Sequence, residues 1–279
     1  MLSQPIYPCI WFNNQAQEAA TFYCTLFSDA KIISGNPIVT QLSIGGIKLM
    51  LLNGGNKYQP TAAISYYVYC SSKAEQKKIY DAFTEKGKIL MPLDKYVWSE
   101  QYAWVADEYG VNWQLDISPI NSTQTIVPSL LFANEKFTLV KEAASMYTSI
   151  FQNSTILLES PHDANPTIPD GTLLFTQFKL SGFIFNAMSS NYAHDFDFSP
   201  GNSFVIECEN QQEIDFYWEK LGDNGRYDMC GWLADKYGIS WQIVPAILGT
   251  LMGDAEKAPR VIQAFLQMQK FDIETLLNA

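Results

Sequence analysis

Apolar and polar positions alternate along Pro5–Phe12, which predicts a strand. Ala16, Ala19, Ala20, Tyr23, Leu26 and Phe27 then recur at steps of three and four, the spacing of one helical face. Asn13 or Asn14 is placed to cap that helix, because a short side-chain oxygen accepts from the free N–H groups of a first turn. Strands are expected near Lys31–Ser34, Ile38–Ile44 and Ile47–Leu52. Gly45-Gly46 joins the last two, since it accepts positive φ at both central turn positions. The order is βαβββ, and it recurs at once. A strand at Ala63–Cys70 leads to the capping box Ser72-x-x-Glu75 and a helix to about Lys86. Strands near Lys88–Met91, Tyr102–Asp107 and Asn112–Ile117 follow, the last two joined by the turn Asp107-Glu108-Tyr109-Gly110.

The whole pattern then repeats. Ile6-x-Pro8-x-Ile10-x-Phe12-x-Asn14 returns as Ile126-x-Pro128-x-Leu130-x-Phe132-x-Asn134. Glu18-Ala19-Ala20-x-x-Tyr23 returns as Glu142-Ala143-Ala144-x-x-Tyr147, and Gln41-x-x-x-x-Gly46 as Gln177-x-x-x-x-Gly182. Trp104-x-Ala106-Asp107-x-Tyr109-Gly110-Val111-x-Trp113-Gln114 returns as Trp232-x-Ala234-Asp235-x-Tyr237-Gly238-Ile239-x-Trp241-Gln242. Ordered matches of this kind mark a tandem duplication. The expected division is a first domain over 1–118, a linker over 119–125, a second domain over 126–245 and a helical tail over 246–279, with Pro259 starting a tail helix. The fold class is α+β: tandem domains, each of two βαβββ units forming a curved mixed sheet with helices on its outer face. Which units share a sheet is left open.

Composition narrows the function. The 279 residues carry 18 Lys and Arg against 29 Asp and Glu, a formal charge of −11, with only two arginines, Arg226 and Arg260. Phosphate backbones are bound by Lys and Arg, so nucleic acid is a poor partner. The acidity lies in the second repeat, which carries most of the excess negative charge. No basic stretch opens the chain and no 18-residue apolar run occurs, so a cytoplasmic protein without signal peptide or membrane span is expected. Five cysteines without CxxC spacing are read as reduced thiols. The two histidines, His162 and His194, are read as loop residues with acidic neighbours. Asp107 and Asp235 are read as holding their turns, and Trp113 and Trp241 as core.

Trp11-Phe12-Asn13-Asn14-Gln15-Ala16-x-Glu18-Ala19-Ala20 and Cys230-Gly231-Trp232-Leu233-x-Asp235-x-Tyr237-Gly238-x-Ser240-Trp241-Gln242, with the paired βαβββ order, resemble the vicinal oxygen chelate superfamily. Within it they are similar to PhnB-like proteins, whose family carries the label 3-demethylubiquinone-9 3-methyltransferase. The resemblance implies a U-shaped sheet around a cavity and, in the superfamily's enzymes, a divalent metal held by His and carboxylate ligands from four strands. Those positions fall at Tyr7, Met50, Ser65 and Gln114 in one repeat and at Val127, Asn186, Ser203 and Gln242 in the other. None is His, Asp, Glu or Cys, so no metal and no cofactor is expected. No glycine-rich loop follows a first strand, as a Rossmann-type methyltransferase requires. Ligand-contacting candidates are Tyr7, Gln41, Ser65, Trp98, Gln114, Gln177, Asn186, Ser203 and Gln242. For the glutamines, a ligand role and a satisfied buried amide both stand open. Trp98, in the long segment Met91–Tyr102, is placed either as a lid or as packing against the other repeat. No catalytic residue is assigned. The expected role is metal-independent binding of a small, partly apolar or aromatic molecule. A metal-dependent lyase, isomerase, dioxygenase or group transferase, or a degenerate homologue without ligand, are the alternatives. Fusion of the repeats predicts an intramolecular pseudo-dimer, with a monomer or a homodimer as the assembly.

Overall fold

A computed structural model describes residues 5–118 and 122–279. The first quarter of the chain forms β1 (Ile6–Phe12), α1 (Ala16–Leu26), β2 (Lys31–Gly35), β3 (Val39–Ile44) and β4 (Ile47–Asn53). The second forms β5 (Ile64–Tyr69), α2 (Lys73–Thr84), β6 (Lys88–Tyr96), β7 (Ser99–Ala106) and β8 (Asn112–Asp116). The third forms β9 (Ile126–Phe132), α3 (Val140–Ile150), β10 (Thr155–Pro161), β11 (Leu173–Leu180) and β12 (Phe183–Ser189). The fourth forms β13 (Asn202–Cys208), α4 (Gln211–Gly222), β14 (Arg226–Tyr227), β15 (Trp232–Ala234) and β16 (Ser240–Pro245). The tail holds α5 (Leu248–Gly253), α6 (Ala258–Phe265) and α7 (Ile273–Leu277). The expected α+β class and fourfold βαβββ order are therefore present. The expected linker includes residues 119–121, which lie outside the described residues.

By internal contacts the chain divides into a larger unit, Pro8–Asn202, and a smaller one, Met1–Tyr7 with Ser203–Ala279. The larger unit contains a complete eight-stranded mixed sheet in the order β10-β11-β12-β9-β5-β8-β7-β6. Its two halves are the second βαβββ of the first repeat and the first βαβββ of the second. They meet where β5 and β9 pair antiparallel, with Ser65 opposite Ser129. In each half the first strand lies parallel to the fourth, Tyr67 beside Gln114 and Ser129 beside Asn186. Residues 117–125 separate β8 from β9 in the chain, and β9 lies along the edge of β5 opposite β8. The larger unit also holds β1-β4-β3-β2, with β1 parallel to β4 from Cys9 onward. The smaller unit holds β14-β15-β16-β13, and the start of β1 lies along β13, where Glu207 N–H donates to the Pro5 carbonyl at 2.9 Å.

Helices cover one face of the eight-stranded sheet. Phe83 of α2 stacks on Trp113 of β8 at 5.2 Å, and Tyr147 of α3 stacks on Phe178 of β11 at 6.3 Å. Trp113 and Trp241 are 0% and 1% exposed, the core positions expected of them. Side chains alternate along a strand, so Gln114 and Gln177, the neighbours of Trp113 and Phe178, face the other way.

Two local expectations change. Neither Asn13 nor Asn14 caps α1. Asn14 takes a left-handed turn, φ 63°, and the cap comes from Asn53 at the end of β4, whose Oδ1 accepts from Ala16 N–H at 2.9 Å. The segment Met91–Tyr102 is not a loop but the continuation of β6 and β7 into a long hairpin with Val97 and Trp98 at its tip.

Candidate functional site

The face of the eight-stranded sheet opposite the helices opens on a cavity of about 650 Å³. Both edge strands border it, β10 through Leu158 and β6 through Met91, so the sheet curls around its own face. The walls are apolar and aromatic: Trp98, Trp104, Leu131, Phe175 and Met188 among others.

The floor is built of polar side chains that satisfy one another. Gln114 Nε2 donates to Ser65 Oγ at 2.7 Å, and Tyr102 OH donates to Gln114 Oε1 at 2.6 Å. Asp116, buried on the same face two residues on, accepts from Ser99 Oγ at 2.6 Å, from the backbone N–H of Ile117 and Ser118, and from Tyr67 OH. Burial, reinforced by the Asp116 carboxylate, raises the Tyr67 and Tyr102 phenols far above their ordinary range, so both keep their protons. The row continues across β9, β12 and β11. Asn186 Nδ2 donates to Ser129 Oγ at 3.2 Å, and Gln177 Nε2 donates to Asn186 Oδ1 at 3.0 Å.

Four of the residues expected to contact a ligand, Ser65, Gln114, Asn186 and Gln177, thus form one row on one sheet, and of the four Gln114 lines the cavity. Trp98, at the hairpin tip, is 58% exposed, stacks on Tyr96 at 5.1 Å and lines the cavity. Gln41 lies on β3 beside Met50 of β4, away from this cavity. In the smaller unit Gln242 Nε2 donates to Ser203 Oγ at 3.0 Å, repeating the Gln114–Ser65 bond, and Tyr7 OH donates to Glu207 Oε1 at 2.7 Å.

The cavity mouth holds what the sequence did not signal. His162 Nε2 lies 2.7 Å from Ser189 Oγ, and His194 Nε2 lies 2.8 Å from Ser190 Oγ. Two histidines 32 positions apart therefore meet adjacent serines at the end of β12. Neither is a free loop side chain; both are half-buried. Ser190 and His194 line the cavity. The Asn134 side chain fixes His194 by its backbone, accepting from its N–H at 3.0 Å and donating to its carbonyl at 3.2 Å. Asn134 itself is left-handed, φ 55°, as Asn14 is at the matching place in the first repeat, and that repeated Asn is the one local sign of a special turn there.

Other reactive groups are quiet. Burial pushes the Cys70 and Cys208 thiols up to about 12, against nucleophilic use. Asp107 accepts from Tyr109 and Val111 N–H, from Trp113 Nε1 at 2.9 Å and from Tyr23 OH at 2.7 Å, the turn-holding part expected of it. Asp235 does the same for Tyr237, Ile239 and Trp241. Among the described residues no group of three His, Cys, Asp or Glu side chains is placed to hold a metal ion, and no helix is long and apolar enough to cross a membrane.

Residues 4–116 and 124–244 match the family described as 3-demethylubiquinone-9 3-methyltransferase, one match for each repeat. The chain belongs to this family. Among solved structures it is similar to the PhnB protein of Bacillus cereus, at 29% identity over 39% of this chain and 96% of that one, with a TM-score of 0.37. Glyoxalase I from Zea mays is 11% identical over 89% of this chain and 95% of its own, with a TM-score of 0.59, a likeness of fold. No curated protein matches. The 3-demethylubiquinone-9 3-methyltransferase family match and the glyoxalase-like fold place the chain in the vicinal oxygen chelate superfamily. Of the eight positions expected from the resemblance, Ser65, Gln114, Val127 and Asn186, two from each repeat, lie in this eight-stranded sheet, and Tyr7, Met50, Ser203 and Gln242 lie outside it.

Proposed function

We propose that this protein binds a small, partly aromatic molecule in the cavity of the eight-stranded sheet, with no metal at its floor. The observation that carries the reading is an apolar, tryptophan-lined cavity of about 650 Å³ closed below by an ordered polar row. A volume within roughly 300–1,000 Å³, apolar walls and a few fixed polar groups are the usual form of a small-molecule site. A divalent ion does not suit the floor. Val127 has no donor atom, and both ends of the Gln114 amide are engaged by Ser65 and Tyr102. An amide also lacks the charge that makes a carboxylate a strong ligand. The methyl transfer in the family's description is not carried to this chain, which lacks a glycine-rich strand-to-helix loop for a methyl donor.

The test is a thermal-shift screen of aromatic acids, alcohols and amines, and of divalent metals, since a ligand of the folded state raises its apparent stability. A saturable shift with an aromatic compound, lost in Trp104→Ala, is expected. Stoichiometric Mn, Fe, Ni or Zn in protein purified without added metal would overturn the metal-free part. No shift with any aromatic compound would overturn the whole.

A further inference from the structure

The cavity floor has a hydrogen-bond polarity, set by where its protons point. We infer that the bound molecule is an aromatic amine, presenting a positively charged N–H donor to the floor, rather than an aromatic acid. The inference rests on the binding role proposed above and names the ligand class.

Each floor group has a fixed inventory of donors and acceptors. The Tyr67 proton goes to Asp116 and the Tyr102 proton to Gln114 Oε1. Gln114 Nε2 directs one proton at Ser65 and the other at Met188 Sδ, 3.8 Å away. The Ser99 proton goes to Asp116. Towards the rim, the Ser189 proton goes to the Leu173 carbonyl at 2.8 Å. What remains on Tyr67 and Tyr102 is an oxygen lone pair each. Trp104 Nε1 is buried out of reach, so that indole offers the cavity its carbon surface. The floor therefore accepts hydrogen bonds and gives none from these groups.

Charge points the same way. Asp116 is the only carboxylate lining the cavity among the described residues, and no Lys or Arg lines it. A carboxylate ligand would meet Asp116 and two acceptor oxygens with no lysine or arginine to offset them, and His194 at the rim has its Nε2 held at Ser190 Oγ. An ammonium group instead gains the carboxylate's field, the phenolic lone pairs and the π-faces of the surrounding rings. Tyr102 stands edge-on to Trp98 at 5.5 Å, and Trp98 stacks on Tyr96, so these rings are held in place. Aromatic faces attract cations through their quadrupole, more strongly where water is excluded. The net charge of −11 favours approach of the same class.

Three probes with one ring system decide it: 2-naphthylmethylamine, 2-naphthalenemethanol and 2-naphthoate. Binding to the full-length protein is followed by tryptophan fluorescence at pH 7. The expected order is amine, then alcohol, then acid, with at least roughly tenfold between amine and acid, as for one hydrogen bond to a charged group. In Tyr67→Phe the amine should lose roughly tenfold while the alcohol changes less, with folding checked by thermal unfolding. In Trp98→Ala all three should weaken. An acid that binds as well as the amine overturns the amine inference and leaves the cavity's binding role standing. Binding by none of the three overturns both. An amine preference that survives unchanged in Tyr67→Phe overturns the floor as its source.

Discussion

Asp107 holds four donors in a fully buried site, and burial still pushes its carboxyl up to about 6 from an ordinary 3.8. The folded protein therefore binds this proton more tightly than the unfolded chain. The stabilisation is complete below about pH 4 and is lost as pH rises through about 6. At about 1.4 kcal/mol per pKa unit, the change is on the order of 3 kcal/mol. Urea unfolding of wild type and Asp107→Asn across about pH 3–7 should show the wild type losing ground by about that amount as pH rises. A pH-independent difference would contradict it. The Asp107–Trp113 and Asp235–Trp241 pairs are legible in the sequence because both partners lie six residues apart in one repeated motif. The His162–Ser189 and His194–Ser190 contacts are not. Nothing in a polar loop announces which strand end it will fold back on.

Among the elements, the tight turn between β3 and β4 fills a place that glycine alone fits. Gly45 and Gly46 have φ of 57° and 76°, and a Cβ on Gly46 would stand 2.2 Å from the Thr123 carbonyl oxygen. Gly182 holds the equivalent turn of the second repeat, φ 87°, with nothing within 4 Å of its would-be Cβ. Gly182→Ala should cost about 1 kcal/mol, the left-handed backbone penalty, and Gly46→Ala clearly more, about 2 kcal/mol or above, because backbone must also move. Chemical denaturation of the two variants reads the difference, and equal losses would refute the crowding. Strand and helix positions are readable from periodicity, and the Ser72–Glu75 cap forms at 3.2 Å. The cap of α1 is not readable locally, because the residue that supplies it, Asn53, arrives through the tertiary fold. The β6–β7 hairpin is hidden because Pro92 and the polar run after it break the alternation, and register shifts between the strands absorb that break.

For the molecule as a whole, duplication is plain in the sequence but the partners within a sheet are not. Every βαβββ has the same apolar pattern, so the pattern cannot choose which unit joins which. The choice is visible only in the fold, where β5 pairs with β9. A fragment of residues 1–118 leaves β5 with an unpaired buried edge, a template for another chain. That fragment should self-associate in sedimentation experiments, and a stable monomer at micromolar concentration would count against the seam described for β5.

The smaller unit joins Pro5 and Tyr7 to Glu207, 200 positions downstream of Tyr7. A ribosome adds roughly 5–20 residues each second. Pro5 and Tyr7 are therefore made roughly 10–40 s before the strand they lie against. Through that interval the eight-stranded sheet can close, since its last strand ends at Ser189. Pro5 and Tyr7 have no β13 to dock on until then, so the order of synthesis places their docking after the strands of the eight-stranded sheet have all been made.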